Sequence, residues 1–206
     1  MVENLLKFKM LLASIALVAL LVMLPRPVVA VPGPQEQVKG SIDAILVLLK
    51  DQRLKQPDMV KERRDKISAV VDLRFDFQQM AERALARHWK DLASADQKRF
   101  TDLFGKLVVC RYIGRIESYT DETVDYQKEL VQGDKARVYT AILKNGAIPI
   151  TYSLKLTGDK WLVYDVMVEG VSLVANYRSE FEAILNKQNF AALLGRVQQK
   201  ICGLGN

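Results

Sequence analysis

The chain has 206 residues and a formal net charge of +6, and 50% of its residues are hydrophobic. This length suffices for one domain with a sizeable core. The small basic excess suits loose, transient attraction to anionic membrane surfaces or acidic partners. It argues against nucleic acid as a partner, because nucleic-acid binding favours a concentrated basic stripe.

The first segment has the pattern of an export signal. Lys7 and Lys9 precede an apolar run over Met10–Leu24, and small residues follow up to Ala30. A basic start, an apolar core and a small-residue site predict a signal peptide over residues 1–30, and hence a periplasmic protein. A retained N-terminal anchor is the alternative, although the run is shorter than the about 20 apolar residues of a membrane span.

Residues 31–206 are predicted to form one domain, and its first part is helical. Apolar residues recur with a period of 3.6 in four stretches. These stretches begin near Pro34, Pro57, Asp76 and Ser94, and the last one fades near Tyr119. Asp76 with Gln79 and Ser94 with Gln97 have the spacing of capping boxes, which predicts two helix starts.

From Thr123 the apolar period changes to two, which predicts strands. Three short turn sequences divide this region, at Gly133-Asp134, Asn145-Gly146 and Gly158-Asp159. Short turns in series indicate an antiparallel meander of four or five strands. The fourth strand, Trp161–Val168, is apolar on both faces and is predicted to be central. Two more helices are expected after Gly170.

Helices that precede and follow an antiparallel meander in the sequence predict the α+β class. A curved sheet with helices in its concavity can enclose an apolar pocket, and such pockets hold small apolar ligands.

Few side chains suggest catalysis or metal binding. Walker A, GxGxxG, GxSxG and HExxH motifs are absent, and His88 is the only histidine, so no cofactor or metal is expected. Cys110 and Cys202 form either a disulfide or two buried free thiols. Asp165 is the one charged residue in the fourth strand. It is either a general base, acting with Tyr164 or Tyr152, or a partner of a loop, a tyrosine hydroxyl or a helix N-terminus.

Two segments of the sequence are informative beyond the periodicity of their apolar residues. The first consists of Phe75–Met80, Trp89, Phe100–Phe104 and Tyr112, and the second of Trp161–Leu173 with Asn176–Arg178. Together they resemble the MlaC family of periplasmic phospholipid-binding proteins, also called toluene-tolerance auxiliary transport proteins. The resemblance covers nearly all of residues 31–206, and the second segment is the more specific.

The resemblance implies a fold like that of nuclear transport factor 2, with a deep apolar pocket for acyl chains. It implies a non-enzymatic carrier that shuttles phospholipid between an outer-membrane lipoprotein complex and an inner-membrane ABC transporter, and so supports outer-membrane lipid asymmetry. On the family pattern, Tyr112 and Val171 fall at pocket-lining positions, and Thr151 and Lys155 near the pocket mouth.

Alternation and the expected cavity suggest further lining residues, for which ordinary core packing is the alternative. They are Phe104, Tyr126, Tyr152, Leu154 and Val163. Three other functions remain open at this point: a carrier of hopanoid or another apolar lipid, a pocket enzyme using Asp165, and an adaptor with a filled core.

Overall fold

The structure is a computed structural model that describes residues 31–119, 122–144 and 146–202. The signal peptide predicted at residues 1–30 lies outside the described residues. From Pro32 onward the described chain belongs to one compact unit. Within the described ranges, no helix combines the length and the apolar character that crossing a bilayer requires.

Along the sequence, helices come both before and after a sheet. Among the described residues, four α-helices precede it: α1 (Pro34–Lys50), α2 (Val60–Arg74), α3 (Phe77–Leu85) and α4 (Ser94–Glu117). Two follow it: α5 (Leu173–Leu185) and α6 (Phe190–Gln199). Short 3-10 turns at Pro57–Met59 and Ala86–Asp91 lead into α2 and follow α3.

The sheet has the strand order β1-β2-β3-β4-β5 with antiparallel neighbours. Its strands are β1 (Thr123–Gln132), β2 (Lys135–Lys144), β3 (Gly146–Thr157), β4 (Lys160–Val168) and β5 (Val171–Ser172). The register shifts in β1 and at the pairing of β3 with β4, and such irregularities increase strand twist. The α+β class and the antiparallel meander predicted from the sequence are confirmed.

The fourth strand lies inside the sheet with a neighbour on each side, as predicted, although it is not the middle strand. β3 is the middle strand, and β4 pairs with β3 on one side and with the two-residue β5 on the other. The backbone at Phe75 and Asp76 adds a short parallel bridge to Val163 of β4. β4 is apolar on both faces because helices contact it on both sides: Val163 packs in a core with Val38 of α1, and Arg83 of α3 stacks on Tyr164 at 4.1 Å.

One of the two predicted helix caps forms. The Asp76 carboxylate accepts a hydrogen bond from the Gln79 backbone N–H at 2.8 Å, which caps α3. The cap predicted at Ser94 is wrong, because Ala93 is the N-cap residue of α4 and no side chain caps it. Gln97 instead donates from its side chain to the carbonyl oxygen of Trp89, at 2.9 Å.

The apolar interior has two main parts. The helical core lies among α3, α4, α5 and α6, and its centre is an aromatic group formed by Phe100, Phe104, Tyr177 and Phe181. The sheet core lies between α1 and the sheet and includes Val38, Val138, Leu154, Trp161 and Val163. A smaller cluster joins α1, α2 and α4 around Leu49, Ile67 and Ile113.

Candidate functional site

The side of the sheet that packs on α1 is the inner face. Val38 of α1 contacts the sheet there, in the sheet core with Val138, Leu154 and Val163. Side chains alternate between the two faces of a strand, so the pairing register assigns every other residue of each strand to this face. α1 covers only part of the inner face, because Leu49 near its C-terminus packs with α2 and α4 instead.

Six apolar side chains form a continuous strip across one end of the inner face. They are Val124, Ile142, Ile148, Ile150, Val168 and Val171, and we call them the inner-face strip. Ile142 pairs with both Val124 and Ile148, and Val168 pairs with both Ile150 and Val171. None of the six is buried, and Val171 is 63% exposed. A contiguous apolar surface of this kind marks a binding site more often than a free surface.

Burial increases along the inner face away from this strip. Tyr126 lies beside Thr140 in the pairing row of Ile150 and Val168, and Tyr152 lies one row deeper, between Val138 and Val166. Both tyrosines and Val166 keep some accessible surface, whereas Thr140 is buried. One row further on, the sheet core is closed. The inner face therefore passes from an open apolar strip, past Tyr126 and Tyr152 in successive rows, to a packed floor.

Tyr152 lies deep in the protein although its surface is not fully covered. Burial raises the pKa of its hydroxyl to about 12, and a hydrogen bond with Thr140 opposes part of this rise. A side chain surrounded by protein that still has accessible surface is typical of a cavity wall.

Tyr126 has a buried hydroxyl with no hydrogen-bond partner in the described part of the chain. Burial raises the pKa of this hydroxyl, and the charge of Asp43 on α1 raises it further. The Lys39 ammonium lies 5.8 Å from the centre of the Tyr126 ring, so the ring faces α1. Leaving a buried hydroxyl unpaired costs about 1–3 kcal/mol, so a ligand oxygen near this position would be favoured.

Five of the residues that the sequence suggested for the pocket share the inner face. Tyr126 and Tyr152 lie in successive rows and are partly buried, and Val171 is the exposed end of the strip. Leu154 and Val163 have no exposed surface and belong to the sheet core, where they form the floor below the tyrosines.

Thr151 and Lys155 lie on the opposite face of β3, which we call the outer face. Thr151 pairs with Tyr139 and Met167, and Lys155 pairs with Lys135 and Leu162. The Lys155 ammonium is 4.0 Å from the Asp134 carboxylate, across the turn between β1 and β2. The strand alternation therefore separates these two side chains from Tyr152 and Leu154.

Phe104 and Tyr112 lie on α4, away from the inner face. Phe104 is 0% exposed and packs edge-on against Tyr177 and Phe181 in the helical core. Tyr112 is partly buried at the margin of the same core and lines a groove between α4 and α5.

Asp165 serves the start of α5. Its carboxylate accepts hydrogen bonds from the Ser172 hydroxyl at 2.7 Å and from the Val174 backbone N–H at 3.1 Å. Negative charge at a helix N-terminus is stabilising, so this arrangement corresponds to the structural interpretation of Asp165. The neighbouring Tyr164 ring lies under the Arg83 guanidinium.

Cys110 and Cys202 are joined by a disulfide with Cα atoms 5.6 Å apart. The bond attaches the chain beyond α6 to the middle of α4. No group of three or more histidine, cysteine, aspartate or glutamate side chains within the described ranges is arranged to hold a metal ion.

Sequence reasoning missed five members of the inner-face strip: Val124, Ile142, Ile148, Ile150 and Val168. Their apolar character was visible, and the period of two placed every other residue of a strand on one face. Their continuity was not visible, because it depends on the pairing register and on where α1 leaves the sheet.

Comparison with known proteins places these observations in a family context. A family model described as MlaC protein matches residues 39–199. The intermembrane phospholipid transport system binding protein MlaC of Haemophilus influenzae is 27% identical over 124 residues, which are 57% of this chain and 58% of that protein. The match thus spans 58% of the length of this curated relative.

A solved structure has a similar fold. It is the phospholipid-binding protein from Ralstonia solanacearum in complex with a phospholipid. The two structures superpose with a TM-score of 0.73 and 22% sequence identity, over 85% of this chain and 100% of the other.

Proposed function

The chain belongs to the MlaC family, and we propose that it is a periplasmic carrier that holds the acyl chains of a phospholipid on its inner face. The observation that carries this proposal is the inner-face strip, six contiguous apolar side chains that lead to the accessible tyrosines. Relatives named for phospholipid binding and transport support this choice of cargo.

In this proposal, acyl chains enter across the strip and reach Tyr126 and Tyr152. Leu154 and Val163 close the floor beneath them, and the head group stays in water. Each buried methylene contributes about 0.8 kcal/mol, so ten of them give about 8 kcal/mol before ordering costs. Lipid held this tightly leaves slowly unless a partner opens the site or offers a better one.

We therefore propose that the carrier exchanges lipid at two membrane partners, an inner-membrane ABC transporter complex and an outer-membrane lipoprotein complex. The name of the Haemophilus influenzae relative, which places that protein in an intermembrane transport system, supports this assignment. No catalytic step is needed, because binding and release move the lipid without changing it.

A charge placed in the strip tests the site. We expect Val171→Glu to remove copurified lipid, because an ionised carboxylate on the strip opposes burial of acyl chains. Val171 is already 63% exposed, so the variant should fold. The measurement is native mass spectrometry of the protein purified from the periplasm, followed by lipid extraction.

Val131→Glu is the matched control. Val131 is 52% exposed and lies on the inner face of β1 beside Ala136, at the opposite end of the strand from Val124. It should retain lipid at the wild-type ratio. A folded Val171→Glu protein that carries as much phospholipid as the control would show that the strip is not the site.

A further inference from the structure

A second concave site lies between α4, α5 and the end of α6, away from the inner face. It has a volume of about 520 Å³ and includes Arg111 and Arg115 of α4 together with Lys200 after α6. Tyr112 and Tyr177 contribute aromatic side chains to it. We call it the cationic groove.

Two of its three cations have no anionic partner. Lys200 forms an ion pair with Glu180, whereas Arg111 and Arg115 pair with no carboxylate of the described residues. The Arg115 guanidinium lies 6.0 Å from the centre of the Tyr112 ring, which holds it beside the groove. The groove therefore has an excess of positive charge, and unpaired arginines match phosphate oxygens in geometry and charge.

Tyr177 supplies an independent indication of a ligand. Its side chain is only 7% exposed and lines the groove, yet its hydroxyl has no hydrogen-bond partner among the described residues. Burial, with smaller effects of Tyr112 and Glu180, raises its pKa to about 12 although Arg111 opposes the rise, so these groups lie close together. A neutral, unpaired tyrosine hydroxyl beside an unpaired guanidinium is a ready donor to an anionic oxygen.

The disulfide fixes this geometry. Cys110 directly precedes Arg111, and Cys202 lies two residues after Lys200, so the bond between the two cysteines holds the groove cations from α4 and α6 near each other. A neighbouring hollow that shares Glu180 and Lys200 adds Lys187 and Arg196, which extends the positive surface.

We propose that the cationic groove binds a phosphate group, with Arg111 and Arg115 neutralising its charge and Tyr177 donating a hydrogen bond to one of its oxygens. The source of the phosphate is either a glycerophospho head group or free phosphate. The site does not depend on the acyl-chain surface of the inner face, because the two lie on different elements.

Isothermal titration calorimetry of the purified protein at low ionic strength tests this site with two soluble probes, inorganic phosphate and glycerophosphoglycerol. We expect saturable binding, weakened about tenfold by Arg111→Gln and about tenfold by Tyr177→Phe, since hydrogen bonds to charged groups have energies of this order. Tighter binding of glycerophosphoglycerol identifies a head-group site, and equal or tighter binding of inorganic phosphate identifies a phosphate site.

Arg99→Gln is the matched control, because Arg99 is an exposed arginine of α4 outside the groove. It should bind both probes like the wild type. The Tyr177→Phe protein keeps its ring in the helical core, so its melting temperature should match that of the wild type. Absence of saturable binding by both probes, or equal affinities of the wild type and Arg111→Gln, would overturn the proposal. Neither probe has acyl chains, so this outcome leaves the carrier function untouched.

Discussion

Two tyrosines of the inner face carry hydroxyls in different situations. The Tyr126 hydroxyl is buried without a partner among the described residues, whereas the Tyr152 hydroxyl is hydrogen-bonded with Thr140. Replacing Tyr126 by Phe removes an unpaired polar group. Replacing Tyr152 by Phe breaks a hydrogen bond and leaves Thr140 with one interaction fewer.

We expect Tyr126→Phe to raise the free energy of unfolding of the lipid-free protein by about 1 kcal/mol, and Tyr152→Phe to lower it by about 1 kcal/mol. Urea denaturation of both variants beside the wild type measures these changes. Each variant is the control for the other, because both lose one tyrosine oxygen from the same face of the sheet. A loss of stability in Tyr126→Phe would mean that its hydroxyl is satisfied in solution.

At the scale of single elements, strand alternation predicted which residues share a face. It placed Tyr152 and Leu154 together and set Thr151 and Lys155 apart, as β3 shows. It could not predict which of these faces α1 would cover, because burial on a strand depends on a helix about 100 residues earlier in the chain. The family pattern placed Thr151 and Lys155 near the pocket mouth, and that position stays a prediction.

Helix ends show the same limit. Asp76 caps α3 as its spacing predicted, but Ser94 does not cap α4, although both have a Gln three residues later. The difference arises from the preceding 3-10 turn, which provides the Trp89 carbonyl that Gln97 contacts. A capping pattern predicts which residues could form hydrogen bonds, and the neighbouring turn decides which bonds form.

The disulfide is the strongest single constraint between elements. It closes a segment with a sequence separation of 92 residues. The chain-entropy model gives about 4–5 kcal/mol for a loop of this length, because the bond restricts the unfolded chain. We expect the Cys110→Ser/Cys202→Ser protein to lose stability by about this amount, measured by urea denaturation.

Reduction of the wild type by dithiothreitol should reproduce the loss, and dithiothreitol should leave the double variant unchanged. Equal stabilities of the oxidised wild type and the double variant would show that the unfolded state is already compact or that the bond is absent. The double variant would also test how firmly the disulfide holds the groove cations Arg111 and Lys200 near each other.

At the scale of the whole molecule, the helical core and the sheet core differ in how completely their apolar side chains are covered. The helical core is closed by stacked aromatic rings, whereas the sheet core opens into the inner-face strip. Apolar periodicity predicts both surfaces equally well, since it reports that a side chain avoids water and not what covers it. The sequence therefore suggested Phe104 and Tyr152 alike as lining residues, and only the fold separates their environments.

Two substitutions distinguish the roles of these surfaces. We expect Phe104→Leu to lower the free energy of unfolding by about 1–3 kcal/mol, because it leaves a cavity in the helical core, and to keep the lipid-to-protein ratio of the wild type. Ile150→Glu places a charge in the middle of the inner-face strip, where the side chain is only partly buried. It should lose the lipid at a smaller cost in stability.

Urea denaturation of the delipidated proteins gives the first quantity, and mass spectrometry of extracted lipid gives the second. Phe104→Leu should then be the less stable protein and keep its lipid, whereas Ile150→Glu should be the more stable of the two and lack lipid. A folded Phe104→Leu protein without lipid would place the acyl chains among the helices, as the sequence prediction for Phe104 has it. Lipid bound to both variants would leave neither surface as its site, because the charge at Ile150 cannot be buried against an acyl chain without a large desolvation cost.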